Sequence, residues 1–174
     1  MAESLISYQV DLLKVEIETI NTSIRQMDEI CKNIKQWAIT LWTATVGGAI
    51  ATEELRRYLI LTAALPILFW FVDTWYRRIQ RHFIWRSMEI GEFLNSDDFA
   101  TSVSQDKLTG FWLFDPSARR RRVAQKVPSF PEKEFEKFIG WSEILWFRSL
   151  SILYGGLIAM SVAIWLVYLS LPLF

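Results

Sequence analysis

Two apolar runs decide the fold: WAITLWTATVGGAIAT (residues 37–52) and YLILTAALPILFWFVDTWY (residues 58–76). The five residues between them, EELRR, leave room only for a short turn. As a helix the first run is about 24 Å long, slightly less than the roughly 30 Å hydrocarbon core of a bilayer, so we expect Lys35 and Trp37 to extend it into the interface. The two runs predict a transmembrane helical hairpin over residues 37–81.

A third apolar segment covers residues 148–174. Its central part, residues 149–172, is about 36 Å long as a helix, which is enough to cross a bilayer with some tilt. Hydrophobic residues make up 52% of the chain and charged residues 22%, and the charges are segregated from the apolar runs. We therefore expect an all-α membrane protein with three transmembrane helices, a cytosolic N-terminal heptad helix and a helical cytosolic loop region.

Residues 1–36 carry a heptad repeat. Its a and d positions are apolar or Cys over four heptads: Val10, Leu13, Ile17, Ile20, Ile24, Met27, Cys31 and Ile34. This period favours a coiled coil or the seam of a helical bundle, and an amphipathic helix packed on its own cytosolic domain is the alternative. No Pro or Gly occurs in residues 2–46, so we expect one helix to continue into the first span. The seam would then continue through Ala38, Leu41, Thr45 and Gly48.

Small residues repeat at four-residue spacing in two of the predicted spans. The stripes in the first span are Thr43, Gly47 and Ala51, and Ala44, Gly48 and Thr52. The stripe in the third span contains Ser151, Gly155, Ala159 and Ala163. Since small side chains let helices approach closely in lipid, these stripes predict helix packing or contacts between copies of the chain.

Asp73 is the one carboxylate in the second apolar run. It precedes Arg77 by one helical turn, so an ion pair at i,i+4 spacing accounts for it structurally. A carboxylate that lines a pore or an ion path is the functional alternative. Pro66 in the same run removes a backbone donor and predicts a kink near residue 62.

Lys and Arg are concentrated on one predicted side of the membrane. Residues 1–36 and 77–148 together carry seventeen of them, whereas the turn between the first two spans carries only Arg56 and Arg57. This bias places the N-terminus and the 77–148 loop in the cytosol and the C-terminus outward, with the protein in the cell inner membrane. The sequence thus divides into a heptad helix (1–36), a hairpin (37–81), a cytosolic region (82–147) and a third span (148–174).

Two basic groups are predicted to contact lipid headgroups. They are Arg77, Arg78 and Arg81 after the second span, and Arg119, Arg120, Arg121 and Arg122 in an irregular segment of the loop. An amphipathic helix that begins near Pro131 follows this segment. The net charge of zero and the lack of interleaved aromatic residues argue against a nucleic-acid partner. The partners we expect are the bilayer, further copies of the chain and a cytosolic protein.

Candidate catalytic residues are scarce. The chain contains one His, His82, and one Cys, Cys31, which excludes an intrachain disulfide and makes a metal site or a catalytic triad improbable. No phosphate-binding, dinucleotide-binding, zinc-protease or serine-hydrolase motif occurs. The adjacent Asp97 and Asp98 are typical of a solvated turn. We expect no enzyme, no cofactor and no metal.

Residues 65–83, LPILFWFVDTWYRRIQRHF, contain the pattern LFW-x-x-D-x-x-Y-x-R-x-x-R-x-F, in which Asp73 and Tyr76 hold fixed places. The tetrapeptide IKQW (residues 34–37) precedes this pattern, and YG (residues 154–155) follows it. In these pieces the chain resembles small uncharacterised bacterial multi-span membrane proteins, and its layout is similar to that of membrane effectors of bacterial antiphage systems. The resemblance implies a few spans joined to a cytosolic sensing segment.

The function we expect is that of a self-associating inner-membrane protein, a membrane-perturbing or pore-forming effector that is controlled from its cytosolic part. The motivating feature is the continuous seam from Val10 to Gly48. A non-catalytic membrane anchor or adaptor that recruits a cytosolic partner is the alternative. A small channel or transporter with Asp73 in its ion path is a third hypothesis.

Overall fold

The structure is a computed structural model that describes residues 4–109, 111, 113 and 132–170. Every regular element in these ranges is a helix, which confirms the all-α prediction. In chain order the elements are α1 (Leu5–Ala51), α2 (Glu53–Arg56), a 3-10 helix (Leu59–Ala63), α3 (Ala64–Leu94), α4 (Asp97–Ser104), α5 (Glu132–Phe138), α6 (Trp141–Leu145) and α7 (Arg148–Ser170).

Helix α1 unites the heptad segment and the first apolar run in 47 residues, which confirms that one helix continues through both. The first backbone N–H groups of a helix have no acceptor within it. In α1 those of Leu5 and Ile6 donate to the carboxylate of Asp106, each at 3.4 Å. Asp106 has a φ of 52°, in the left-handed region that Asp adopts more readily than bulkier residues. A residue far along the chain therefore caps α1.

The second apolar run begins as a 3-10 helix and becomes α-helical at Ala64. Pro66 lies in the first turn of α3, where its missing N–H costs little. The irregularity predicted near residue 62 is thus a change of helix type ahead of the proline. Helix α3 then continues without interruption to Leu94.

The described residues form two compact units. Unit 1 takes its residues from Met1–Asp28 and Ile79–Ile139, and unit 2 from Glu29–Arg78 and Gly140–Phe174. The chain passes from one unit to the other within α1 and within α3, so each unit contains part of both helices. The division at residues 36, 81 and 147, which follows changes in hydropathy, stays a prediction.

The core of unit 1 is built by the heptad seam. Leu13 and Ile20 are buried together with Ile90 of α3. The partly buried side chains around them are Ile17, Ile24, Phe83, Phe111 and Leu113. Phe111 also stacks on Phe93, with ring centroids 4.2 Å apart. The seam residues in this unit therefore pack on α3 of the same chain.

The core of unit 2 joins the apolar end of α1 to the 3-10 helix and α7. Its buried members are Trp42, Val46, Ala49, Leu59 and Leu157. The indole Nε1 of Trp42 donates to the hydroxyl of Ser161 on α7 at 2.8 Å. Of the residues predicted to continue the seam, Ala38 is buried, whereas Leu41, Thr45 and Gly48 are exposed. A straight helix has 3.6 residues per turn, so the buried face drifts away from a 3.5-residue repeat.

Two helical stretches of the described chain, Leu59–Leu94 and Phe135–Ser170, are long and apolar enough to cross a membrane. Only 33% and 22% of their apolar windows are buried inside the protein, unlike the core helix of a soluble protein. The first predicted span, residues 37–52, is not among them. Its Trp, Thr and Gly residues dilute the aliphatic content of that run.

The predicted amphipathic helix after Pro131 is divided in two. Helix α5 ends at Phe138, and α6 begins after Gly140, whose backbone is extended with φ −60° and ψ 136°. Glycine favours such an interruption because fixing it in a helix costs the most backbone entropy. The apolar face of the predicted amphipathic helix is therefore divided between α5 and α6.

Candidate functional site: a buried carboxylate contacted by three helices

The carboxylate of Asp73 on α3 is fully buried in unit 2. Lys35 of α1 places its Nζ 3.3 Å from Oδ2, and the hydroxyl of Tyr154 on α7 donates to the same oxygen at 3.2 Å. Arg77, one turn along α3, places its Nε 3.4 Å from Oδ1. Groups from three helices therefore converge on one carboxylate.

The contact between Asp73 and Arg77 is coulombic rather than a well-formed hydrogen bond. The two atoms lie within ion-pair distance, yet neither Oδ1 nor the Arg77 Nε forms an aligned hydrogen bond with any described residue. The predicted i,i+4 pair is thus present, but Lys35 and Tyr154 contact the carboxylate as well. Two cations face one anion, so the cluster carries one excess positive charge.

Aromatic and aliphatic side chains shield the cluster from one side. Tyr154 is buried with Ala38 and Leu150. The ring of Trp70 stacks on that of Tyr154 at 6.2 Å, and its indole Nε1 donates to the carbonyl of Leu145 at 3.0 Å. These contacts fix the Tyr154 ring, so its hydroxyl is held toward Asp73.

Cys31 of α1 also lies at this carboxylate. Burial raises the pKa of the Cys31 thiol from 9.0 to about 12, with a further contribution from the charge of Asp73, which accepts the thiol's hydrogen bond. Arg77 and Lys35 act in the opposite direction. The thiol is therefore protonated at neutral pH and is a poor nucleophile.

This arrangement suits a structural carboxylate better than a transport site. An ion path needs a carboxylate that water or a permeant ion can reach. Asp73 is instead enclosed, and its oxygens face Lys35, Tyr154 and Arg77. A buried charge whose partners come from three helices holds those helices in one arrangement, because separating them would leave it uncompensated.

A second buried ionic cluster, which the sequence analysis missed, lies in unit 1. The Nε of Arg86 donates to Glu16 at 2.8 Å, and its Nη1 donates to Glu89 at 3.3 Å. Trp85 donates its indole N–H to Glu89 at 3.0 Å, and the ring of Phe111 lies 4.7 Å from the Arg86 guanidinium carbon. The feature of the sequence that could have indicated this cluster is the position of Glu16, which lies between Leu13 and Ile20 on the buried face of α1.

The predicted seam residues all face inward to some degree. Leu13, Ile20, Cys31 and Ile34 are buried, and Val10, Ile17, Ile24 and Met27 are partly buried. The seam therefore faces the remainder of the same chain, as the alternative of an amphipathic helix packed on its own domain describes.

The small-residue stripes of α1 are placed on the opposite side from its core. Thr43, Ala44, Gly47, Gly48 and Ala51 are exposed. A Cβ atom added at Gly47 or Gly48 would meet nothing within 4 Å in the described chain. In α7 the stripe is mixed: Ser151 and Gly155 are partly buried, whereas Ala159 and Ala163 are exposed.

The predicted headgroup arginines differ in their partners. Arg77 pairs with Asp73, and Arg81 donates to the carbonyl of Phe138. The guanidinium of Arg78 lies 5.6 Å from the ring centre of Trp141. Arg119, Arg120, Arg121 and Arg122 lie outside the described residues.

The scattered pieces that carry the resemblance meet in the structure. Lys35, Asp73 and Tyr154 come from its three separate pieces, and all three belong to the buried carboxylate cluster.

Among the described residues, no three His, Cys, Asp or Glu side chains come together as a metal site. In comparisons with protein-family models, curated proteins and solved structures, no match to this chain is found.

Proposed function

We propose that the protein is embedded in the bacterial inner membrane and self-associates there through the exposed small-residue face of α1. This face consists of Thr43, Ala44, Gly47, Gly48 and Ala51. In the proposed topology the N-terminus and the 77–148 loop are cytosolic, and residues 37–52 form a third span beside the two longer apolar helices. The segregation of seventeen basic residues from Arg56 and Arg57 supports this orientation.

The observation that carries the proposal is the division of α1 into two faces. Trp42, Val46 and Ala49 pack into the core of unit 2, while the small residues on the opposite face are exposed. In lipid, apolar surface alone does not drive helices together, so close packing of small residues becomes a main source of association. A second copy of the same face is the simplest surface that matches it.

The surrounding surface supports a membrane rather than water as the solvent. Exposed large apolar side chains lie on both longer apolar helices, among them Leu61, Leu68, Phe71, Ile152 and Leu166. Because soluble monomers rarely expose large apolar patches, these many exposed apolar side chains favour lipid as their surroundings. The heptad seam, by contrast, is occupied within one chain, so the interface between copies falls within the membrane.

An assembly of this kind would act on the membrane itself. Helices that associate through small residues leave their larger apolar side chains toward lipid. We propose that a ring of such helices perturbs or opens the bilayer. Unit 1, which contains a packed helical core and a buried ionic cluster, would be the part that responds to a cytosolic signal. The protein is therefore proposed to be a membrane effector without catalytic chemistry.

The test substitutes leucine for Gly47 or Gly48. Because neither position has a neighbour within 4 Å, the fold of one chain should be retained, while the close approach of a second copy is blocked. Gly156→Leu is the matched control, since Gly156 is exposed on α7 and equally open. Native mass spectrometry in detergent should show oligomers of the parent chain and of the control, and monomers of Gly47→Leu and Gly48→Leu.

The effector role has its own measurement. Vesicles loaded with a fluorescent dye should leak when the parent chain is reconstituted and remain sealed with Gly48→Leu. A parent chain that is monomeric in detergent removes the proposal of self-association. Oligomers that leave the vesicles sealed remove the membrane-perturbing role and favour the anchor or adaptor.

A further inference from the structure

Three side chains of unit 2 form a cationic aromatic cluster at one end of the exposed apolar surface. Trp75 and Arg78 lie three residues apart on α3 and so share a face. Trp141, the first residue of α6, contacts both: its ring centre lies 5.8 Å from that of Trp75 and 5.6 Å from the guanidinium carbon of Arg78. We propose that this cluster binds the phosphate of one anionic phospholipid.

Arg78, unlike Arg77 and Arg86 on the same helix, has no anionic partner among the described residues. Arg77 pairs with Asp73, and Arg86 pairs with Glu16 and Glu89. Arg78 is partly buried, forms no ion pair with a described carboxylate, and has a buried Nε without an acceptor in the described chain. A partly desolvated guanidinium is stabilised by an anion, and its planar donors match a phosphate well.

The two tryptophans supply further donors at the same place. Trp75 is 55% exposed and Trp141 is 37% exposed. Neither indole N–H donates to a described residue, in contrast to those of Trp42, Trp70 and Trp85. Tryptophan at a membrane interface places its ring among apolar groups and its N–H among headgroups. The cluster thus combines one cation with two N–H donors that have no acceptor among the described residues.

The neighbouring surface favours a lipid over a free anion. Leu68, Phe71, Val72 and Trp75 occupy positions i, i+3, i+4 and i+7 along one face of α3, and all four are exposed. This stripe leads directly to Arg78. An acyl chain that lies along it would bring the phosphate of the same lipid to the guanidinium, whereas inorganic phosphate would gain nothing from the stripe.

The inference rests on the membrane location in the proposed function but not on self-association. The test is native mass spectrometry of the full chain after extraction from vesicles of phosphatidylcholine with and without phosphatidylglycerol. The parent chain should retain phosphatidylglycerol, and excess inorganic phosphate should not displace it. Arg78→Gln should retain about tenfold less, the loss expected for a charge-assisted hydrogen bond.

The control is Arg57→Gln. Arg57 also lies over an aromatic ring, that of Tyr58 at 4.9 Å, but at the opposite end of the second apolar run, residues 58–76. Two milder variants keep the test decisive if Arg78→Gln does not fold. Arg78→Lys keeps the charge and loses the planar fork, and Trp141→Phe keeps the ring and loses the N–H, so both should retain lipid at an intermediate level.

The outcomes separate this site from the proposed function. Equal retention of phosphatidylglycerol by Arg78→Gln and the parent chain would overturn the lipid site and leave self-association intact. Displacement by inorganic phosphate would show a general anion site and would also overturn it. A parent chain that does not enter vesicles at all would remove the membrane location and, with it, both proposals.

Discussion

The hydroxyl of Tyr154 donates a hydrogen bond to the carboxylate of Asp73 across 81 positions of sequence, at 3.2 Å. This bond joins α7 to α3, and the ion pair of Asp73 with Lys35 joins α1 to the same point. One buried carboxylate thereby connects the three long helices of unit 2. Its contribution is tested by removing the charge and the hydrogen bond separately.

Replacing Asp73 by Asn should destabilise the protein by about 3 kcal/mol, because Lys35 and Arg77 would lose their anion in a largely dry site. Tyr154→Phe should cost about 1 kcal/mol, since it removes one hydrogen bond and retains the ring that stacks on Trp70. Thermal unfolding in detergent measures both. Asp97→Asn, on the exposed first turn of α4, is the control and should change little. A stable Asp73→Asn protein would show that the cluster does not hold the helices together.

The contact between Trp42 and Ser161 should contribute independently. The indole N–H of Trp42 is buried and donates to the serine hydroxyl at 2.8 Å, so Ser161→Ala leaves a buried donor without its acceptor. The expected loss is about 1–3 kcal/mol. Adding Trp42→Phe to the Ser161→Ala variant should recover part of the lost stability, since the buried donor without an acceptor is then absent. If the two single variants and the double variant show simple additivity, the bond carries no coupling energy.

The ionic cluster of unit 1 should be sensitive to the loss of its cation. Arg86→Met would leave Glu16 and Glu89 buried without that guanidinium, and we expect a destabilisation of about 3–5 kcal/mol. Arg25→Met, at an exposed position of α1, is the matched control. Hydrogen exchange of the amides around Leu13 and Ile90 locates the effect. Unchanged protection there would contradict a stabilising role for Arg86.

The buried thiol of Cys31 predicts a dependence of stability on alkaline pH. Its pKa of about 12 in the folded state exceeds the ordinary value of 9.0, so the unfolded chain loses the proton first as the pH rises. Stability from this group is complete below pH 9 and is lost between pH 9 and about pH 12. Comparison of the parent chain with Cys31→Ala isolates the contribution, because the alanine variant should lack that part of the pH dependence.

The same burial predicts slow alkylation. A maleimide should react with Cys31 at neutral pH far more slowly than with a cysteine placed by Asn33→Cys in a Cys31→Ala background, since position 33 is exposed on the same helix. Mass spectrometry over time gives both rates. Equal rates would mean that the thiol is accessible and that its environment is not the one described.

Periodicity predicted the helices and their buried faces better than their partners. The heptad residues identified the inward face of α1 because a helix repeats its faces locally. The pairing of Asp73 with Arg77 could be predicted for the same reason, since both lie on one helix. Lys35 and Tyr154 could not, because they approach Asp73 only after three helices pack, and no local pattern encodes that meeting.

Other differences have equally local causes. The drift of the buried face from Leu41 and Thr45 to Trp42 and Val46 follows from the difference between 3.5 and 3.6 residues per turn. The division between α5 and α6 follows from Gly140. Hydrophobic spacing alone predicted one continuous helix, because it does not take the helix-breaking tendency of glycine into account. The pairing of Glu16 with Arg86 could not be predicted, because Arg86 lies on a different helix. Without a known partner, Glu16 was only a charged residue on an otherwise apolar face of α1.

The cap on α1 has a consequence for the order of events during synthesis. Asp106 leaves the ribosome about a hundred residues after the Leu5 amide that it caps. By then both apolar runs of the predicted hairpin have been made. The first turn of α1 therefore lacks its cap while the hairpin is synthesised. Nascent chains arrested before residue 106 should be cleaved by protease near the N-terminus, whereas longer chains should be protected there.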